Sequence, residues 1–408
     1  MAAAYTARAK RHEKHIKKGW NIVPFPALSY NSDLGLQYGA FCDIFHFGNG
    51  SSYPDYRHKI SFEASRFTKG SGVYRFFYDS EYLIPRTRLT VDLSYLPDKM
   101  LNFYGFNGYN SPYIAGQPKS FYNMNRDMLR LTIDFQRPIN GNWKWAAGFG
   151  YYNYRMSEVK LKKYQNVTSL YKLYKNNGIL NRNEANGGNI LQFKGGIVYD
   201  SRDVESDPSR GIWSEAILCG SPDWIDRNGY DHVKLTAVFR HYVPVATNKL
   251  TFAYRVGYQG TIAGHSPYYV QSNINTSYMR QTYSEGLGGT FSLRGIYRNR
   301  VVGDGMAWVN AEFRYRFLNF RLLNQNWYFV VNPLFDAGMV VTPFRQERLQ
   351  QSGLRELYSS ERESLHASAG IGAKAVMNQN FVLSIEWGQA FDRRDGTNGL
   401  NLYMNFLF

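Results

Sequence analysis

Leu400-Asn401-Leu402-Tyr403-Met404-Asn405-Phe406-Leu407-Phe408 is the stretch from which the rest of the chain is best read. In an extended strand successive side chains point to opposite faces. Leu400, Leu402, Met404, Phe406 and Phe408 therefore share one face, and Asn401, Tyr403 and Asn405 share the other. The same period recurs upstream. Leu129, Leu131, Ile133 and Phe135 alternate with Arg130, Thr132, Asp134 and Gln136. Val309, Ala311, Phe313, Tyr315 and Phe317 alternate with Trp308, Asn310, Glu312, Arg314 and Arg316. Phe381, Leu383, Ile385 and Trp387 alternate with Val382, Ser384 and Glu386. In a soluble sandwich the charged face would meet bulk water; in a barrel it faces inward.

Segments of this kind, broken by Gly, Pro, Asn and Asp turns, predict strands at 21–30, 34–47, 57–68, 72–82, 87–95, 128–137, 143–156 and 189–200. The second half predicts 211–219, 230–242, 250–261, 306–317, 327–339, 366–377, 380–388 and 399–408, sixteen in all. No run of about 18 apolar residues exists, which excludes helical membrane spans but not strands that are half apolar. Connections after even-numbered strands are mostly short, whereas 96–127, 157–188, 262–305 and 340–365 are long; the short link at 31–33 and the longer one at 48–56 fit this pattern less well. The alternation of short turns with long loops, and a last strand ending on an aromatic residue, resemble bacterial outer-membrane β-barrels, whose closing strand carries an assembly signal, here Phe406 and Phe408. The expected fold is an all-β, 16-stranded antiparallel transmembrane β-barrel over 20–408, preceded by a basic tail at 1–19.

Composition is consistent with this fold. Aromatics make up 17% of the chain, with 33 Tyr, which suits aromatic girdles at the lipid interfaces. The net charge of +16 is spread over strands and loops rather than gathered in a stripe, apart from the head at 10–18. The reading is therefore anionic lipid headgroups or lipopolysaccharide as partners and not nucleic acid. Cys42 and Cys219 fall on strands far apart around a barrel and predict no disulfide. No apolar h-region follows Met1-Ala2-Ala3-Ala4, so an intact secretion signal, which an outer-membrane protein requires, is not seen in this sequence.

Three stretches resemble the BamA/TamA surface-antigen superfamily. Gly288-Gly289-Thr290-Phe291-Ser292-Leu293-Arg294-Gly295-Ile296-Tyr297 resembles its sixth extracellular loop, whose Arg-Gly-aromatic tip folds into the lumen; Ile296 stands at the aromatic position. Leu334-Phe335-Asp336-Ala337-Gly338 is similar to the family's Phe-x-Asp-x-Gly, with Leu334 in place of the first aromatic. The resemblance implies that Arg294 docks on Asp336, with Glu312 as a second acceptor. The third stretch, Tyr199-Asp200-Ser201-Arg202-Asp203 followed by Pro208-Ser209-Arg210-Gly211, resembles the family turn between strands eight and nine. Phe103-Tyr104-Gly105-Phe106-Asn107-Gly108 is a weaker echo. Family members carry periplasmic POTRA domains ahead of the barrel. Here about twenty residues precede the first strand, as in the POTRA-less branch.

Each sharp reading has a plainer rival. Arg294 is a gating latch or a structural clasp, with the clasp favoured. Arg314, Arg316, Arg255 and Lys194 select anions or make lumenal salt bridges with Glu312, Glu386 and Asp134, with salt bridges favoured. His12 and His15 lack a third ligand for a metal. His232, His241 and His366 lie on strands without a nucleophile context, so no enzyme activity and no cofactor are expected. The resemblance implies outer-membrane biogenesis, the insertion or export of proteins or lipids, with protein partners in an outer-membrane complex. The alternatives are a structural or accessory barrel, a gated passive pore and, last, a phospholipase.

Overall fold

An extended strand leaves its backbone groups unsatisfied until neighbours pair with both edges, so alternating segments of this number call for closure. The computed structural model describes residues 17–408 except 32, 52, 54–55, 115, 160–167, 246–248, 279–280, 323–324, 354 and 378–380. Residues 10–16 of the basic head at 10–18, with His12 and His15, and the turn at 378–379 thus lie outside the described residues.

Among the described residues the barrel wall has sixteen antiparallel strands. β1 has two halves, Trp20–Pro26 and Ser29–Asn31, both paired with β2, Gly35–His46. There follow β3 (His58–Phe67), β4 (Gly72–Ile84), β5 (Thr87–Asn102), β6 (Asn123–Asn140), β7 (Trp143–Ser157) and β8 (Gly187–Asp200). The second half comprises β9 (Gly211–Ser221), β10 (His232–Val245), β11 (Leu250–Gly264), β12 (Gly305–Leu322), β13 (Gln325–Thr342), β14 (His366–Met377), β15 (Phe381–Ala390) and β16 (Asn398–Met404). Each strand pairs with the next, and β16 returns to β1 through Asn401↔Asn31 and Leu402↔Tyr30. Among the described residues these two pairs are the whole of the closure, against seven between β15 and β16.

The expected strands are all present, and the barrel reading holds. Their ends differ in informative ways. β12 and β13 run 18 residues each, longer than the roughly 9–11 that a tilted strand needs to cross a bilayer. β5 continues past Tyr95 through Pro97 to Asn102, and β6 begins at Asn123 rather than 128. One expectation is corrected. The last strand stops at Met404 and does not reach Phe408. Asn405 adopts a left-handed φ of 75°, which ends the pleat, and Phe406, Leu407 and Phe408 turn into the barrel and are buried. Phe406 and Phe408 therefore do not share the lipid face with Leu400 and Met404, which remain exposed.

The outer wall carries exposed Phe62, Leu93, Phe193, Val256, Phe313, Ile371 and Ile385. The inner wall carries buried Asp92, Arg130, Asp134, Lys194, Arg255, Glu312 and Asp336. No described helix is long and apolar enough to cross a membrane. At the long-loop end the connections fold over the mouth as an apolar dome in which Phe103, Phe106, Tyr122, Tyr171, Tyr174, Tyr268 and Phe344 pack together. The long connection 157–188 includes a helix over Leu170–Asn176, capped by Ser169 Oγ, which accepts from Lys172 N at 3.2 Å. Burial pushes the Tyr171 and Tyr174 hydroxyls up to about 12, so both stay neutral inside the dome. Many of the tyrosines thus serve loop packing as well as the lipid interfaces. Cys42 and Cys219 are free thiols.

The topology puts Lys172 in a long loop and Asn140 at the end of β6, next to a short turn, at opposite ends of the barrel. Cysteines introduced at each position should differ on whole cells: an impermeant thiol reagent labels Lys172→Cys and leaves Asn140→Cys untouched until the cells are broken. Labelling of Asn140→Cys in intact cells would invert the orientation.

Candidate functional site

The loop between β11 and β12 starts with a helical turn at Tyr268–Gln271 and a hairpin, Asn273–Ser277 with Thr282–Glu285. Leu287 and Val301 then pair backbone to backbone and pinch off residues 288–300 as a tip that enters the lumen. A positive charge carried into a dry interior needs fixed carboxylates, and the wall provides three. Asp336 on β13 takes Arg294 in a bidentate grip, Nε to Oδ2 at 2.8 Å and Nη2 to Oδ1 at 2.7 Å, and its Oδ2 also accepts from the Arg294 backbone N–H at 2.8 Å. Arg294 Nη1 donates to Glu312 on β12 and, at 3.0 Å, to Glu386 on β15. All four side chains have no solvent exposure.

Two glycines permit this approach. Gly295 has φ 94°, and a Cβ there would lie 2.5 Å from the Gly388 carbonyl carbon; a Cβ on Gly388 would lie 2.6 Å from the Arg294 oxygen. The loop tip thus lies backbone against backbone on β15, which places Glu386 within reach of Arg294. Ile296, at the position where the family motif has an aromatic, is buried in an apolar cluster with Leu287, Leu293, Trp308 and Val340.

The carboxylates have partners of their own. Arg314 Nε donates to Glu312 Oε2 at 2.8 Å, and Lys374 Nζ to Glu386 Oε1 at 2.6 Å. Glu386 also accepts from Tyr403 on β16 at 2.7 Å and from Asn332 at 3.0 Å. Asn310 donates to Asp336 at 2.7 Å and accepts from Arg255 Nε at 2.8 Å. Arg294, Arg314 and Lys374 balance Asp336, Glu312 and Glu386. Arg314 then reaches the inward-turned end of the chain: its guanidinium lies 4.5 Å from the Phe406 ring centroid and 5.0 Å from that of Phe408, and Nη2 donates to the Phe408 carbonyl at 3.0 Å. The other inward cations singled out from the sequence are also engaged. Lys194 pairs with Asp134 at 3.0 Å and Arg316 with Asp207 at 3.0 Å.

The root of the loop is fixed separately. Arg298 Nη2 meets Asp98 at 2.6 Å and Glu285 at 3.1 Å, and Arg126 meets Glu285 at 3.0 Å. Burial alone would raise the Glu285 carboxyl, but Arg298 and Arg126 outweigh it and hold the carboxyl well below the usual range. Asn107 hooks the dome to this root. Its N–H donates to Val302 O at 2.6 Å, while its side chain exchanges hydrogen bonds with the Phe344 backbone at 2.6 and 2.9 Å.

The β8–β9 turn lies at the other end of the barrel. Arg202 grips Asp200 with Nε to Oδ1 at 2.8 Å and Nη2 to Oδ2 at 2.7 Å, and its guanidinium covers the Trp213 ring at 4.0 Å. Arg240 sits over the same ring at 3.8 Å. Asp203 accepts from the backbone of Val204, Ser209 and Arg210 at 3.0, 2.9 and 3.2 Å. Burial would raise its carboxyl, but the bonds from Ser209, Arg210 and Val204 keep it below the usual range. Gly211 has φ 107°, and a Cβ there would meet Ser201 O at 2.3 Å. These residues build a rigid turn and do not meet the Arg294 cluster.

Sequence reading did not assign Glu386 to Arg294, although it placed Glu386 inward. It also missed the ion pairs of Arg298 and the node around His366, which lies 3.1 Å from Glu363 and 2.8 Å from Asp395 under the stacked ring of Tyr109. Glu363, Asp395 and Tyr109 lie in loops, where alternation carries no signal.

Because the Arg294 cluster is dry, Arg294→Ala should cost about 3–5 kcal/mol, the range for breaking a buried pair, registered as protease cleavage near Arg298-Asn299-Arg300. Asp336→Ala should expose the same site, and the double variant should fall short of the sum of the singles. Equal resistance in all three proteins would place the loop's anchorage elsewhere. A depressed carboxyl contributes stability above its unfolded pKa and loses it only as pH falls through the lower folded value. Amide protection over 282–301 should therefore be the same at pH 5 as at pH 7, and a loss at pH 5 would remove Glu285 from the loop's anchorage.

Residues 57–405 match the Omp85 superfamily domain. In structure the chain is similar to BamA from Haemophilus ducreyi lacking POTRA domains 1–3, with a TM-score of 0.59 and 16% identity over 95% of this chain and 70% of that one. It is also similar to CdiB from Escherichia coli, with a TM-score of 0.59 and 8% identity over 95% of this chain and 63% of that one. At such identities these are likenesses of fold. No curated protein matches by sequence. The resemblance carried by the Arg294, Asp336 and Arg202 motifs is borne out at the level of the family: the chain is an outer-membrane β-barrel belonging to the Omp85 superfamily.

Proposed function

We propose that the barrel serves outer-membrane biogenesis in a Gram-negative envelope, assisting the insertion or export of proteins or lipids. The observation that carries this reading is the seam. Fifteen strand pairings are long ladders, whereas β16 meets β1 at two described pairs and then leaves the wall at Asn405. A wall with one weak, lipid-facing joint is suited to lateral passage. A second reading, an accessory barrel that anchors partners, draws on the dome, whose tightly packed loops offer a rigid outer face. The filled lumen speaks against a passive pore, since loop residues 288–300 and Phe406–Phe408 occupy it. No catalytic role is proposed: His366, the buried strand histidine with acidic neighbours, ties loops together. The partners in this reading are outer-membrane lipids, including lipopolysaccharide, and the proteins of an envelope complex.

Purification from membranes in mild detergent separates the two readings. An insertion or export barrel should trap incompletely folded clients, and an accessory barrel should return one stoichiometric partner. In planar bilayers the intact protein should show low, flickering conductance that rises on deletion of 288–300. Steady, large conductance of the intact protein would favour the pore.

A further inference from the structure

The first strand, read for the direction of its backbone groups, is not an open template along its whole length. Phe47 N–H donates to Gly19 O at 2.9 Å and Ala27 N–H donates to Gly39 O at 2.9 Å. Between these bonds the register with β2 runs without a shift from Trp20↔His46 to Pro26↔Ala40. Hydrogen-bonded positions alternate along an antiparallel ladder. Asn21, Val23 and Phe25 therefore turn their backbone groups toward β2, and Trp20, Ile22, Pro24 and Pro26 turn theirs to the opposite edge, which is the seam. Proline has no N–H, so two of the four donor positions on that edge are empty.

Among the described residues that edge is also unpaired. Below Leu402↔Tyr30 the described residues of β16 form no further pairs with β1, although Met404 still pairs with Leu383. Where β16 has turned inward, the gap is bridged by side chains: the Phe25 ring stacks on Phe41 at 5.2 Å and faces Phe381 of β15 at 6.1 Å. Proline on an edge strand is a means of preventing another strand from adding to it.

We propose that the Trp20–Pro26 edge is closed to strand addition, so that an incoming extended segment pairs with β1 only along Ser29–Asn31, where it displaces the two β16 pairs. Pro24 and Pro26 are the residues that set this limit. The inference concerns the edge alone and stands apart from the biogenesis reading, because pairing is read with a peptide and not with a client.

The test uses the full chain in detergent micelles and a synthetic peptide of residues 398–404. A photo-crosslinking side chain is placed at Tyr30 or at Ile22, both exposed on the outer wall. Crosslinks to the peptide should form at Tyr30 and be about tenfold weaker at Ile22, the effect of two missing hydrogen bonds. In Pro24→Val/Pro26→Val, with folding checked by heat-modifiable mobility, the Ile22 yield should rise to the Tyr30 level. Equal yields at the two sites in the wild type would overturn the proposal. So would a folded double variant with no gain, or a wild type that crosslinks at neither site. Should the double variant not fold, the wild-type ratio alone decides.

Discussion

Everything inside the barrel follows from the placement of Arg294. An unpaired guanidinium could not stay in a dry lumen, so the wall supplies Asp336, Glu312 and Glu386, one from each of three strands. Three carboxylates in one place would repel one another, and Arg314 and Lys374 offset them. Arg314 in turn offers a cationic face to Phe406 and Phe408, and Tyr403 ties β16 to Glu386. The loop tip, three wall strands and the inward-turned end thus form one electrostatic unit. Removal of any member takes one partner from a buried charge or an aromatic ring.

The wall was legible because a strand half in lipid and half in a polar lumen cannot avoid alternation. Val309 to Phe317 and Leu129 to Phe135 declare two faces whatever their neighbours are. The Arg294–Asp336 contact was accessible only through the likeness of short motifs to a family, since their separation of 42 residues along the chain carries no periodic signal. Glu386 was read as inward from parity. Its meeting with Arg294 depends on the close passage of Gly295 over Gly388, and neither glycine announces the other.

The failures have a common cause. Phe406 and Phe408 continue the alternation of Leu400, Leu402 and Met404 in writing, but one left-handed residue, Asn405, removes them from the wall. Asn tolerates that conformation and equally sits in a strand, so the pattern could not decide. The tyrosine count suggested interfacial girdles. Tyr104, Tyr122, Tyr171, Tyr174 and Tyr268 instead build the dome, because a hydroxyl that finds a partner allows a large ring to pack in loop-rich surroundings. Pro24 and Pro26 sit inside a correctly placed strand, and their meaning appeared only once closure made that strand an edge.

A barrel in lipid is closed because each unsatisfied backbone group there is costly. The lower seam between β1 and β16 departs from that rule, and the local chemistry lessens the penalty in three ways. The prolines remove donors that would otherwise find no acceptor. Phe25 and Phe381 place apolar rings where a strand is missing. The residues that have left the wall are held inside by Arg314. Full pairing along this joint would make the wall more stable and would also make it permanent. With only the upper register bonded, parting of β16 from β1 would break two pairs and leave the fifteen remaining pairings and the Arg294 cluster intact. Weakness at this single joint is therefore compatible with a rigid barrel, because the loop clasp anchors on β12, β13 and β15 and makes no demand on β1.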